Sequence, residues 1–325
     1  MSAVLADDDR RLVAESAAAF VADHGSAARA RVERAAGALD ETCWQGMAAL
    51  GWFGIDVPEA AGGLGLGPMA VCVVAEAAGR GLLMPPLTQA MAAAALLGGG
   101  EGTFAARTLD SLLGGRAFVA LARAVPSERD TGPAGGLVLR RVPDGDLARA
   151  FVVATGDGDT FETRLVDRAE TGAAPALERC VDGSWLASLE IAAATWAAAP
   201  MLGRGTSGEV DWEKALALFR LGDAAYSCGL MATTLAMSLD YLRLRRQFGA
   251  PIGSFQALQH RAVDGHVGLA AARALVFESA RARGTPREAW AAAASVRRAT
   301  AAALAVTREN IQFHGAIGFA DEHDA

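Results

Sequence analysis

Arg245-Arg246-Gln247-Phe248-Gly249-Ala250-Pro251-Ile252-Gly253-Ser254-Phe255-Gln256-Ala257-Leu258-Gln259-His260 is the stretch on which the reading of this 325-residue sequence turns. Gly249 and Pro251 end a helix, and Arg243, Arg245 and Arg246 are the cations that a helix C-terminus favours. Upstream, Leu218, Leu221, Ala225, Cys228, Ala232, Leu235, Leu239 and Leu242 recur three and four residues apart, as on one face of a helix. Downstream, Ser254 is placed to be an N-cap, and Phe255, Leu258, Ala262, Gly265, Leu269, Ala272, Val276 and Ser279 repeat the alternation up to Gly284. The two helices are expected to pack antiparallel. Thr285-Pro286-Arg287-Glu288 has the form of a capping box with Pro at the first helical position, opening a third helix that runs to about Gln312. Three amphipathic helices with short connections imply an antiparallel bundle. Its fourth wall has to come from elsewhere in the chain, from residues after Ala325 or from a partner.

Outward from the bundle, residues 1–100 read as a helical domain. Asp7, Asp8 and Asp9 favour a helix start, Leu12, Val13, Ser16 and Phe20 recur at helical spacing, and Gly25 supplies a stop. A second helix is expected over Glu41–Leu50 and another over Gly67–Gly79, with a Gly- and Pro-rich ordered loop at Gly51–Gly65 between them. Residues 101–205 change texture: Ala117–Leu121, Gly136–Leu139 and Ala150–Ala154 are short apolar runs bounded by Gly, Pro and Asp, which read as strands, with Ala192–Ala199 a helical outlier. Residues 206–325 hold the bundle. The fold class is α+β, mainly helical, in the order helix, reduced β domain, helix bundle.

Composition narrows the partners. Hydrophobic residues make up 52% and charged residues 21%, the net charge is −7, and Lys214 is the only lysine, so no basic block invites a polyphosphate backbone and nucleic acid is not expected. Cys43, Cys72, Cys180 and Cys228 are scattered, without a C-x-x-C pair or a histidine at ligand spacing, which points to four buried thiols and no metal. The start of the chain lacks the basic and apolar regions of a signal peptide. The apolar run Met69–Leu97 is broken by Glu76, Arg80, Pro85 and Pro86, short of the ~20 apolar residues of a membrane span. A cytoplasmic protein away from membranes is the expectation.

The stretch Arg245–His260 resembles a signature of acyl-CoA dehydrogenases, Ile311-Gln312-Phe313-His314-Gly315-Ala316-Ile317-Gly318-Phe319 resembles a second, and Val57-Pro58-Glu59 with Gly62-Gly63-Leu64-Gly65 a third. In that family FAD lies across an interface between two subunits. The resemblance implies that Arg245 approaches the FAD diphosphate, that Gln247 and Phe248 border its adenine end, that Gln256 hydrogen-bonds nearby, and that Gln312, Gly315 and Gly318 line the ADP portion. An Arg forks onto phosphate oxygens and Gly admits close backbone approach, so the residue types suit the task. Read without the resemblance, Arg245 is a helix-terminal charge, Phe248 a capping contact, and Gly315 and Gly318 a helix stop. His260 and His314 are read as structural.

The resemblance also implies α,β-desaturation of an acyl-CoA thioester, with a Glu base and a flavin that accepts hydride. That Glu usually follows the Gly-rich signature, and this sequence stops at Ala325, seven residues beyond Gly318. In other members it lies on the first bundle helix, where Leu218, Phe219 and Arg220 stand. Asp223, turned about 200° from Leu221 and Ala225 and so expected in solvent, and Glu322 are the substitutes on offer. The β domain also lacks the family's Thr-Glu-Pro and Gly-Ser pattern, its counterpart being Ala120–Asp130. The expectation is a short subunit that completes an FAD site with a second acyl-CoA dehydrogenase-like subunit, in a hetero- or homo-oligomer. A flavin-free lyase or dehydratase, or a scaffold on the same fold, is the alternative.

Overall fold

A computed structural model describes residues 7–36, 39–100, 102–126, 136–172, 174–320 and 322–325. Along the chain run α1 (Asp7–His24), α2 (Ala27–Ala36), α3 (Glu41–Ala49), α4 (Gly67–Arg80), α5 (Leu87–Gly99) and α6 (Thr103–Leu113). Then come β1 (Val119–Pro126), β2 (Leu137–Pro143), β3 (Ala150–Thr155), β4 (Glu162–Asp167), β5 (Ala176–Arg179), β6 (Trp185–Ile191), α7 (Ala193–Ala198) and β7 (Met201–Arg204). Last are α8 (Gly205–Leu244), the two-residue strands β8 (Arg246–Gln247) and β9 (Ala250–Pro251), α9 (Gln256–Arg281) and α10 (Glu288–His314). The chain divides into two compact units, one of residues 7–30, 68–83 and 220–325 and one of residues 31–67 and 84–219. No described helix is long and apolar enough to cross a membrane.

In the first unit the fourth wall of the bundle is α4, supplied by the chain itself. Cys72 and Ala75 of α4 share one core with Leu221, Ala225, Cys228, Met231 and Leu235 of α8, Leu269, Ala272 and Val276 of α9, and Ala299, Ala302 and Val306 of α10. Two glycines bring α4 and α8 into backbone contact. A Cβ on Gly79 would lie 2.0 Å from the carbonyl oxygen of Tyr226, and one on Gly229 would lie 1.9 Å from that of Glu76. Beside this crossing the Glu76 carboxylate takes a two-pronged contact from Arg273, at 2.8 and 3.2 Å, and one from Arg80 at 2.9 Å. Inside the bundle Ser238 Oγ donates to Asn310 Oδ1 at 2.6 Å, and the hydroxyls of Ser279 and Ser295 meet at 2.6 Å, so the buried polar groups satisfy one another.

The helix ends depart from expectation. Ser254 caps nothing: its Oγ donates to Pro251 O inside a short turn, and α9 begins after Phe255. The Thr285–Glu288 box does not close either. Glu288 accepts from the Gly284 N–H at 2.8 Å, and Thr285 Oγ1 donates back to Ala282 O while accepting from the Arg287 N–H at 3.3 Å, not from the Glu288 N–H that a capping box would use. α8 starts at Gly205, six residues before the Asp211 where its apolar face becomes readable.

The second unit is built on a seven-stranded sheet in the order β5-β6-β2-β1-β3-β4-β7, with β1 and β3 parallel and the other pairs antiparallel. Gln89 of α5 pins the sheet, accepting from the Leu121 N–H at 2.8 Å and donating to Pro143 O at 3.3 Å. Residues 103–113, inside the stretch read as β-rich, form α6 against α5. The loop at Gly51–Gly65 is ordered as expected, with positive φ at Gly51, Gly62 and Gly65. Gly63 lies so close to Val57 that a Cβ would sit 2.2 Å from the Val57 carbonyl oxygen, which gives the Gly-Gly pair a packing reason. Ser127–Asp130, part of the stretch matched to the family's flavin-ring strand, lies outside the described residues.

Cys43, Cys72 and Cys228 are buried, whereas Cys180 is only half-buried because it sits in the turn between β5 and β6. Burial and, next, the Glu76 carboxylate push the Cys228 thiol up to about 12, against the opposing effect of Arg273. This excludes it as a thiolate nucleophile near neutral pH. The folded chain holds this proton where the unfolded chain releases it, so stability falls as pH rises from the unfolded value of 9.0 toward about 12. Denaturant melts of the wild type and Cys228→Ala between pH 8 and 11 are expected to show a steeper decline in the wild type. Gly229→Ala separates propensity from packing. Helix propensity alone predicts a gain of about 1 kcal/mol, whereas the clash with Glu76 O predicts a net loss of about 1–3 kcal/mol. We expect the loss, read as a lower urea midpoint.

Candidate functional site

The Arg245–His260 stretch folds into a hairpin that links α8 to α9. β8 and β9 pair in antiparallel register, Arg246 with Pro251 and Gln247 with Ala250, so that Phe248 and Gly249 are left as the two turn residues. Both have positive φ, +53° and +79°, the backbone of a type I′ turn. Glycine adopts this readily, but a phenylalanine there costs about 1–2 kcal/mol through its Cβ. The Phe248 side chain gains little burial in return, being 93% exposed, with only an edge contact to Phe255 at 6.2 Å between ring centroids.

The base of the hairpin is firmly held. The Ile252 N–H donates to Arg245 O at 2.8 Å, the Arg245 N–H to Tyr241 O at 2.8 Å, and Arg246 Nη2 to Gly249 O at 3.2 Å. Below it Leu242, Ala262 and Phe313 form a small core with Leu239, Ile252 and Leu258. That core joins the ends of α8 and α10 and the start of α9. Tyr241 packs on the His314 ring at 4.2 Å and its hydroxyl donates to His314 O at 3.4 Å, while His314 Nδ1 donates to Asn310 O at 2.8 Å. His314 is therefore structural, as read from the sequence.

The same end of the bundle carries the second signature. Gly315, with φ +66° and ψ −137°, stops α10 in a conformation that side-chain-bearing residues avoid, and a Cβ there would meet nothing within 4 Å. Gly318 is required by packing, since a Cβ would lie 2.8 Å from Ile311 O. Gln312 is exposed on the last turn of α10. Arg245, Gln247 and Gln256 are exposed as well, and Gln247 Nε2 donates only to the neighbouring Arg246 O. Arg245 makes no ion pair among the described residues. The two carboxylates part company. Asp223 precedes Arg245 by 22 residues on α8, about 33 Å along the helix, and is half-buried where solvent was expected. Glu322 is exposed beside His323, whose ring lies 4.8 Å from that of His314, at the hairpin end of the bundle.

This end of the bundle thus offers an unpaired guanidinium, side-chain amides, bare glycine backbone and an exposed aromatic ring. The set suits an anionic group attached to a flat heterocycle. Among the described residues no group of three His, Cys, Asp or Glu could hold a metal ion. The sequence did not reveal the Tyr241–His314 contact that joins the two signatures, nor the exposure of Leu244 and Phe319 around them.

The model of the acyl-CoA dehydrogenase N-terminal domain family matches residues 7–116 and that of the C-terminal domain family matches residues 208–325. The acyl-CoA dehydrogenase IpdE2 of Mycobacterium tuberculosis is 32% identical over 98% of this chain and 88% of its own length. IpdE2 of Mycolicibacterium smegmatis is 30% identical over 98% and 90%. Among solved structures a variant of the Tcur3481-Tcur3483 steroid ACAD superposes with a TM-score of 0.83 at 25% identity, covering 98% of this chain and 90% of that one. Two family models that together span most of the sequence, and relatives matched along nearly its whole length, show that the chain belongs to the acyl-CoA dehydrogenase family.

Proposed function

We propose that this chain is one subunit of a heteromeric, FAD-dependent acyl-CoA dehydrogenase and that it completes, through the α8–α9 hairpin, a flavin site held mainly by its partner. The observation that carries the reading is the hairpin itself: a phenylalanine kept at positive φ and turned into solvent, next to an arginine that makes no ion pair among the described residues. A strained, exposed turn persists where something outside the fold uses it. FAD fits this donor set: Arg245 would hold the diphosphate, Gln247 and Phe248 the adenine end with Gln256 nearby, and Gln312 with the backbone of Gly315 and Gly318 the ADP portion. When bound, FAD supplies the oxidant for acyl-CoA desaturation. This chain's residues bind and orient; the hairpin itself carries no acid or base, and Leu218, Phe219 and Arg220 occupy the stretch of α8 where some relatives keep the glutamate. Tcur3481-Tcur3483, whose name pairs two gene products, supports the heteromeric reading, and its description as a steroid ACAD points to a bulky acyl-CoA substrate.

The test is co-expression with a second acyl-CoA dehydrogenase-like subunit from the same source. The complex is expected to be yellow and active and the lone chain colourless and inactive; flavin and activity in the lone chain, or a colourless active complex, would overturn the reading. Arg245→Ala should weaken FAD retention by about tenfold or more, the size of one lost charge-assisted contact, without lowering the thermal midpoint of the lone chain. Phe248→Gly should leave the lone chain as stable or up to about 1 kcal/mol more stable, since relief of the strained φ outweighs the added backbone freedom. The same change should still cost the complex flavin. A purely structural turn would show neither split.

A further inference from the structure

Helix α10 carries a surface that neither the bundle core nor the hairpin uses. Trp290, Ala293, Arg297, Ala301, Leu304 and Arg308 follow one another at spacings of three, four, four, three and four, which places them on one stripe of the helix. All six are exposed, Trp290 at 62% and Leu304 at 51%. At the helical rise the stripe runs about 27 Å. The side chains of Arg297 and Arg308 make no ion pair or hydrogen bond among the described residues, and the Arg287 guanidinium, at the start of the helix, meets only the Trp290 ring, 5.5 Å away. The carboxylates nearest to them in the sequence are engaged elsewhere. Glu288 accepts from the Gly284 N–H and pairs with Arg283 at 3.5 Å, and Glu309 pairs with Arg261 at 2.5 Å. In a chain of net charge −7 the stripe is thus a local reversal of sign, with cations, two large apolar side chains, alanines and no acid.

This set is complementary to a flat anionic sheet. Arginines fork onto headgroup phosphates, an indole settles at the boundary between headgroups and acyl chains, and a leucine beside it reaches the apolar layer. The alanines between them leave nothing that would hold a plane away from the helix. A protein partner instead anchors its large residues in pockets. The groove beside the stripe, lined by Gly265, Gly268 and Ala302, opens toward α9 and not under Trp290, Arg297 or Arg308. The negative net charge does not forbid the contact, because charges beyond a Debye length of about 10 Å at about 0.1 M salt are largely screened. The expectation of a protein away from membranes rested on the lack of a spanning stretch, which does not bear on a face that lies on a bilayer.

We infer that the Trp290–Arg308 face of α10 docks the protein reversibly on an anionic phospholipid surface. Flotation of the full chain, with any subunit that co-purifies, compares vesicles of phosphatidylcholine alone with vesicles that also contain phosphatidylglycerol. Partition onto the anionic vesicles only, weakening as salt is added, is expected. Arg297→Ala and Arg308→Ala are each expected to lower it by about fivefold, the contribution of one arginine near such a surface, and together by about 25-fold. Trp290→Ala is expected to lower it by a similar factor and to leave its salt dependence unchanged. Arg116→Ala, which removes an exposed arginine already paired with Asp110, is expected to leave partition as it is. The altered side chains are exposed, and circular dichroism should report an unchanged fold. Flavin retention by the complex should not move, which separates a failure here from a failure of the hairpin reading. No partition of the wild type, equal partition onto neutral vesicles, or partition that the double arginine change leaves intact would overturn the inference. So would a wild type that ignores vesicles while the double change releases a co-purifying subunit, since the stripe would then belong to a protein contact.

Discussion

The contact between Gly79 and the Tyr226 carbonyl, with its counterpart between Gly229 and the Glu76 carbonyl, is the constraint on which the helical unit rests. Two backbones approach this closely only where neither helix carries a Cβ at the crossing. The approach draws α4 out of the first third of the sequence and makes it the fourth helix of a bundle whose other three lie at the end. It also sets Glu76 within reach of both Arg273 and Arg80, so that a carboxylate at the edge of an apolar core is matched by two cations. Isolated surface ion pairs add little stability. This one has a different consequence, because a buried and unmatched Glu76 would oppose the crossing that brings it there.

A bundle closed in this way holds its far end rigid, and the hairpin depends on that. Phe248 is in a conformation that its own side chain resists, and its exposed ring gives nothing back. The turn stays in place because the residues under it have no freedom to release it: Leu242, Ala262 and Phe313 fill the space below, Tyr241 rests on His314, and two backbone hydrogen bonds at Arg245 fix the stem. The strain is local and the support is distributed. Such an arrangement suits a binding turn, whose side chains are set before any ligand arrives, so that less conformational freedom is lost on binding.

Periodicity carried the helices because α8, α9 and α10 each bury one face, and most of the alternating residues of the α8 and α9 stripes are buried or packed on the core, whereas Phe255 is exposed and Gly265 only half-buried. Periodicity says nothing about which helix meets which. The identity of the fourth wall rested on Gly79 and Gly229, and a glycine inside a helix pattern reads as a weak spot until the facing carbonyl is seen. Ser254 misled for a related reason: a hydroxyl near a helix start can hold the preceding turn as readily as the first free N–H, and sequence does not rank the two. The site followed the same division. Arg245, Gln247 and the glycines were readable as types suited to a phosphate and a dinucleotide. The positive φ of Phe248 was not, since phenylalanine is among the residues least expected there.

The geometry also limits what the hairpin can contribute. A general base must come within about 3 Å of the proton that it takes. Asp223, half-buried on α8, stands about 33 Å along the helix from Arg245, so in one protomer those two groups cannot serve the same reacting atoms. Farther back, Leu218 is buried, and a carboxylate in its place would be a charge in an apolar setting without a partner. At Leu218 the helix is therefore packed for stability. The interactions that hold Phe248 outward all lie at the other end of the helix, among Tyr241, Leu242, Ile252, Phe313 and His314. The hairpin and the Leu218 stretch are physically separate on this helix, so that a change in one need not disturb the other.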